Sequence, residues 1–362
     1  AEALNSAGYE TAYIGKWHID GRGRESFIPP ERRLGFKYWR VAECTHDYNN
    51  SFYYADTPEK MYWDGYDAFE QTGEARKYIE QRDKSKPFAL FLSWGPPHNP
   101  FHTAPHQFRD MFDKDKLVLR PNVPAEAEAQ ARDELAGYYA HAAALDKCLG
   151  ELLQTLKENG LEENTIVVFT SDHGDMLGSQ NVWRKQFPYD ESIRVPFLVR
   201  RPGLPGRKSA EVKAPLNAPD VMPTLLGLCG VEIPGSAEGI DYSPAVRGEK
   251  KMDIGGAYIA LYIGAYDLHR FSPDRVWRGV RTERYTYVRD RKGPWLLFDN
   301  ERDPYQMNNL CGKGEYADLQ KTLDAVLREQ LAVRKDAFLP APELLKRTTI
   351  KPEQMKDIAV TE

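Results

Sequence analysis

The sequence predicts an α/β fold, a mixed and mostly parallel central sheet with helices on both faces, followed by a small C-terminal α+β domain. Two patterns carry this expectation. Through the first two thirds of the 362 residues, short apolar runs alternate with amphipathic stretches, the arrangement that builds a helix-covered sheet. After about Gly248 the pattern changes to a run of strands and then one helix, so a boundary is expected there, dividing the chain into 1–248 and 249–362.

The chain opens on helical spacing at Ala3, Leu4 and Ala7. It starts with Ala1 and shows no signal-peptide pattern, so a preceding N-terminal piece is expected. Strands are expected at 11–15, 88–93, 165–171 and 195–200, each a short β-branched or aromatic run closed by Gly, Pro or a polar cluster. The clearest helix is 133–159. There Leu135, Tyr139, Ala142, Leu145, Leu149, Leu152 and Leu156 recur every three or four residues, a stripe expected to face a core, and Gly160 stands at the C-cap. In the second domain, 278–290 reads as a hairpin turning at Thr282, Glu283 and Arg284, with 295–298 as a further strand. Residues 316–333 have helical spacing at Leu319, Leu323, Val326 and Leu327. The charged, proline-containing tail after Pro340 is expected to wrap the surface.

Composition narrows the function. With 41% hydrophobic and 28% charged residues, the chain has the balance of a globular protein with a substantial core. Its net charge of −5 leaves no basic surplus for nucleic acid or an anionic membrane, so any bound anion must be held locally. The longest apolar stretches, 254–266 and 221–231, are shorter than the roughly 18 residues that suggest a membrane span. Cys44, Cys148, Cys229 and Cys311 stand far apart, which fits neither a zinc ribbon nor a disulfide framework and leaves the redox compartment open.

Polar residues gather at the C-terminal ends of the expected strands, where an open α/β sheet places its binding crevice. Lys16 and His18, two apart after the first strand, suit two hydrogen-bond donors to an oxyanion, although a surface Lys beside a packed Trp17 reads about as well. His98 lies in a loop stiffened by Pro96, Pro97 and Pro100, which suits a fixed donor or general acid and equally an ordinary connector. Asp172 and His173 combine a carboxylate with an imidazole, as a divalent-cation site assembled from several loops requires; alone, Asp172 reads as the cap of a turn. Ca²⁺ takes about six to eight ligands, so these two leave the shell incomplete. Lys185 returns a positive charge toward the same loop, though a single loop charge is more often solvated. Taken together, two lysines, several histidines and an Asp-His pair around one sheet edge describe a metal-assisted site for a tetrahedral oxyanion ester, sulfate or phosphate.

In order and spacing, segments 7–18, 95–98, 170–178, 194–199, 220–226 and 298–304 resemble the sulfatase family of the alkaline-phosphatase-like superfamily over nearly the whole chain. The resemblance implies a large α/β domain and a small C-terminal domain with an antiparallel sheet and a helix. It also implies roles. Lys16 would contact nucleophile and sulfate, and His18 would take a proton from a hydrated formylglycine as sulfate leaves. His98 and Lys185 would hold the sulfate and assist the departing oxygen, while Asp172 and His173 would ligate Ca²⁺. Family members carry a pair of Asp ligands and a Cys- or Ser-x-Pro-x-Arg motif ahead of the segment that contains Lys16, and nothing here matches either; Cys44 is followed by Thr45, His46 and Asp47. Little or no turnover is therefore expected of these residues alone.

The leading expectation is a sulfuric ester hydrolase acting on a sulfated sugar or small organic sulfate. A phosphate or phosphonate monoester hydrolase is the enzymatic alternative, its extra charge met by Arg24 or Arg184, and a non-catalytic binder of sulfated glycans is the alternative from another class. Arg24, His46, Tyr48, His102 and Arg184 are expected at the substrate rim.

Overall fold

The computed structural model describes residues 1–203, 210–262 and 276–348. The last four residues of the 254–266 stretch and most of the tail lie outside the described residues.

A short helix α1 (Glu2–Ser6) leads into β1 (Glu10–Lys16), which is flanked in parallel by β2 (Tyr38–Ala42) and, beyond a small hairpin of β3 (Phe52–Tyr53) and β4 (Met61–Tyr62) and the helix α2 (Asp67–Gln81), by β5 (Phe88–Ser93). The order is β2-β1-β5. Tyr13 on β1 sits amid Trp17, Phe36, Trp39 and Phe91 with ring centroids 4.9–6.3 Å away, a cluster that covers one face of this sheet. On α2, Ala68, Thr72, Ala75 and Ile79 are buried, and the helix packs against both β1 and the long α4 (Glu128–Glu158), which follows the single-turn α3 (His106–Arg109).

α4 closes on a left-handed Gly160 (φ 68°), with Leu161 N bonded to Leu156 O and Gly160 N to Lys157 O. Those two bonds are the Schellman pattern that Gly160 led one to expect. The expected stripe is buried in part, at Leu145 and Leu156. Ala140, Ala144, Cys148 and Thr155 make the fully buried face, whereas Leu135, Tyr139, Ala142 and Leu149 line a groove of about 2050 Å³. The groove is bordered by β5 and by β6 (Val167–Thr170), which pairs antiparallel with β7 (Phe197–Arg200) after the short α5 (Asp190–Ile193). The strands expected at 165–171 and 195–200 are thus present but shorter, and Pro196, which has no N–H to give a ladder, precedes the second. Among the described residues β6 and β7 pair only with each other, so the β2-β1-β5 sheet is all parallel and β6-β7 is a separate antiparallel pair; parallel and antiparallel strands both occur, but not within one sheet.

α6 (Ala218–Cys229) starts on a capping box in which Asn217 and Asp220 satisfy each other's backbone, and is followed by α7 (Ser243–Val246). The C-terminal sheet is antiparallel, ordered β11-β10-β9-β8, from β8 (Ala257–Leu261), β9 (Trp277–Arg281), β10 (Tyr285–Asp290) and β11 (Gly293–Asp299). The hairpin turns at 282–284, where Thr282 N donates to Tyr285 O. Leu323 and Leu327 of α8 (Ala317–Val333) pack on Tyr258, Val280, Tyr287 and Leu297 of this sheet, and α9 (Ala341–Leu345) follows. No helix among the described residues is long and apolar enough to cross a membrane.

Candidate active site

The loop after β5 is held by side chains from α4 and a neighbouring loop. Tyr48 Oη donates to Asn99 O at 3.2 Å. His141 of α4 lies 3.4 Å from Pro100 O through Nε2 and 2.6 Å from Tyr66 Oη through Nδ1. A carbonyl only accepts, so His141 carries its proton on Nε2 and receives the Tyr66 hydroxyl at Nδ1. The same reasoning assigns His98. Its Nδ1–H donates to Asn99 O at 2.8 Å, which leaves the Nε2 lone pair to accept from Lys185 Nζ at 3.0 Å. Burial, and then the adjacent Lys185 ammonium, push the His98 imidazolium down to about 2, so the ring is neutral.

Lys185 stands on a loop of unusual backbone. Leu177, Gln180, Asn181, Arg184 and Gln186 all have φ between 45° and 78°, a conformation that costs non-glycine residues energy and persists only where surroundings impose it. Those surroundings are visible. Asp175 Oδ1 accepts from Leu177 N and Arg184 N, the Arg184 guanidinium reaches Glu134 Oε2 at 2.8 Å, Met176 N donates to Arg184 O, and Trp277 Nε1 donates to Gln186 O. Both neighbours of Lys185 are pinned, and its ammonium is delivered to His98.

After β6, the Asp172 carboxylate Oδ1 accepts from His173 N at 2.9 Å. His173 Nδ1 donates to Gly174 O at 2.8 Å, which turns Nε2 toward Asp172 Oδ2, 3.5 Å away. Gly174 admits no side chain, since a Cβ there would stand 1.9 Å from Glu191 O, and its N–H donates to Ser192 O of α5. The loop is therefore docked. A carboxylate oxygen and an imidazole lone pair this close suit a shared cation.

Lys16 ends β1. Gly15 lies so near β5 that a Cβ would meet Ser93 O at 2.0 Å, and its φ of 107° is a glycine conformation. The Lys16 ammonium makes no hydrogen bond or ion pair with a described residue. His18 takes a left-handed turn (φ 53°) with its N–H on Glu43 O at 2.8 Å. Lys16, His18, His98, Asp172 and His173 all line the one groove, and the His98 and His173 rings meet edge to face at 6.0 Å. The chain segments that follow β1, β5 and β6 thus bring together two ammonium groups, three imidazoles and one carboxylate.

Residues 1–231 match the family described as Sulfatase, and residues 178–333 match that described as N-sulphoglucosamine sulphohydrolase, C-terminal. The chain belongs to the sulfatase family. It is 45% identical over 354 residues to an ulvan-active sulfatase of Formosa agariphila, covering 96% of this chain and 68% of that protein. It is 33% identical over 357 residues to an endo-4-O-sulfatase of Bacteroides thetaiotaomicron, covering 85% and 68%. A solved structure from work on the metabolism of multiple glycosaminoglycans by Bacteroides thetaiotaomicron superposes with a TM-score of 0.81 at 30% identity, covering 96% of this chain and 79% of that one. At family level the activity is that of a sulfuric ester hydrolase.

The rim expected of this sulfatase is placed less uniformly. His102 is exposed. Arg24 O accepts from Cys44 N. His46 lies over His98. Tyr48, only 1% exposed, props the His98 loop, and Arg184 serves the Lys185 loop, so these two are supports in place of the rim positions expected from sequence. Tyr66, His141, Glu134 and Asp175 also support the site; Asp175 falls in the 170–178 segment, whereas no local sequence signal marks the other three. Among the described residues no group of three or more His, Cys, Asp or Glu is placed to hold a metal, and Asp172 and His173 by themselves are two donors where a Ca²⁺ ion takes about six to eight. No cysteine carries the formylglycine motif; Cys44 is buried with Sγ 3.6 Å from His46 Nε2.

Proposed function

We propose that this sulfatase site takes the sulfate ester of a glycan, with Lys16, His18, His98 and Lys185 around the sulfate and with Asp172 and His173 toward a divalent cation. What supports this most is the convergence of Lys16, His18, His98, Asp172 and His173 from separate strand ends on one groove, with Lys185 bonded to His98. Lys185 donates one proton to His98 Nε2, which holds its ammonium at the site, and the Lys16 ammonium adds a second positive charge for an anion. His98, neutral and fixed, orients Lys185 and stands where a departing oxygen would need a partner. A bound cation would supply further charge to the ester oxygens. The relatives named for ulvan and for endo-4-O-sulfate support a polymeric sulfated substrate. The Cys- or Ser-x-Pro-x-Arg motif is absent from these 362 residues, so turnover by them alone is expected to be low. The two parts 1–248 and 249–362 are proposed as an α/β catalytic domain and a packing partner for it.

The test is calorimetric titration of the chain with inorganic sulfate and with sulfated oligosaccharides, beside the Lys16→Ala variant. Saturable binding that weakens about tenfold in the variant is expected. Equal heats for sulfated and desulfated sugars would sink the reading.

A further inference from the structure

His46 comes from the segment that follows β2 and reaches across to the loop after β5. Its ring lies flat on that of His98, centroids 4.7 Å apart and planes inclined by 16°. The two nitrogens of His98 are already bonded, Nδ1 to Asn99 O and Nε2 to Lys185 Nζ. Bonds at opposite edges of a ring fix its position in its own plane but leave the tilt of that plane soft. What covers the face decides the tilt. His46 is itself held from behind. Its Nε2 is 3.6 Å from the Sγ of Cys44, within hydrogen-bond range for sulfur; Cys44 is 2% exposed, and its N–H is anchored on Arg24 O.

We propose that His46, backed by the Cys44 thiol, is a positioning residue that fixes the plane of His98 and through it the aim of the Lys185 ammonium. This rests on the sulfate-binding reading of the site. The pair replaces a rim role for His46 with a role behind the ring that meets Lys185. It also gives Cys44 a use independent of the missing formylglycine motif.

Long-range ¹H–¹⁵N correlation spectra of the imidazoles, recorded on the full chain at one pH, read the His98 tautomer, and a titration with inorganic sulfate reads the site. In the unmodified chain a single Nδ1–H form of His98 is expected. His46→Ala should mix the tautomers and weaken sulfate about tenfold, whereas His46→Phe, which keeps a flat face, should hold both within about twofold. Cys44→Ala should fall between them and serves if His46→Ala does not fold. An unchanged His98 tautomer and unchanged affinity in both His46→Ala and Cys44→Ala overturns the proposal, as does a lowered melting temperature with neither readout altered. If the unmodified chain binds no sulfate yet the tautomer responds to His46→Ala, the positioning stands and the sulfate reading falls.

Discussion

Lys185 Nζ stands 3.0 Å from His98 Nε2, although 87 residues separate the two in sequence. Neither residue is self-supporting. His98 presents a lone pair because Asn99 O takes its other proton, and Lys185 arrives because Arg184 and Gln186 are both tied down. Removing either partner should therefore release the other. Lys185→Met and His98→Ala are each expected to weaken sulfate binding by about 10–100-fold, and the double variant scarcely further. Additive losses in titration calorimetry would mean that the two act separately.

Gly15 has no space for a side chain between β1 and β5. Gly15→Ala must push Ser93 O away or distort a backbone at φ 107°, for a cost of about 2–4 kcal/mol. Urea unfolding measures it, and a change below about 0.5 kcal/mol would show that the strands tolerate separation where Lys16 emerges.

Asp67, 1% exposed, is the buried carboxyl nearest to a stability switch. Burial raises it from 3.8 to about 7, against the smaller opposing help of Ser51 and the Ala68 N–H. Between these values the folded chain holds a proton that the unfolded chain has lost, so stability falls as pH rises from about 4 through about 7. Asp67 Oδ1 and Gln71 Oε1 both lack a donor and both line a cavity of about 10 Å³ with Gly15 and Lys16; a proton on Asp67 supplies one. Asp67→Asn should abolish the slope and stabilise the chain at pH 8 by about 3 kcal/mol, read from unfolding midpoints across pH. A slope that survives in the variant assigns it elsewhere.

Divalent cation should matter through Asp172. Added Ca²⁺ is expected to raise the melting temperature and chelator to reverse it, with Asp172→Ala insensitive to both. An equal response in the variant would place the cation at other residues.

Asp190 of α5 links residues before Gly248 to the C-terminal sheet. Its carboxylate receives Arg281 Nε and Nη2 of β9, each at 3.1 Å, and its N–H donates to Gln306 Oε1 at 2.8 Å. Asp190→Ala strands a mostly buried guanidinium and should cost about 2–4 kcal/mol, with faster proteolysis near Gly248. An unchanged cleavage pattern would argue against a boundary there.

Legibility followed how directly a residue's neighbours in sequence are its neighbours in space. Strand ends carrying Lys16, His98 and Asp172 stood out because short apolar runs end abruptly in polar clusters. β2 did not, since Arg40 interrupts its apolar run and is reconciled to the sheet by Glu74 on α2. α2 itself was hidden because its buried face includes Gln71 and Thr72, which read as polar, and α6 because Pro223 and Gly227 break its helical pattern. The stripe on α4 was visible, but which of its edges packs depends on where α2 lies.

By itself the sequence determined the class of fold, the chemistry gathered at the strand ends and the resemblance to sulfatases, because these rest on periodicity and on motifs only a few residues long. Tertiary structure alone decided which atom meets which. Whether His98 offers a proton or a lone pair, whether Arg184 faces substrate or Glu134, and whether Tyr48 lies on a rim or beneath a loop are set by contacts 50 to 90 residues apart. A hydrogen bond is decided over about 3 Å, and no local pattern records a distance closed only by folding.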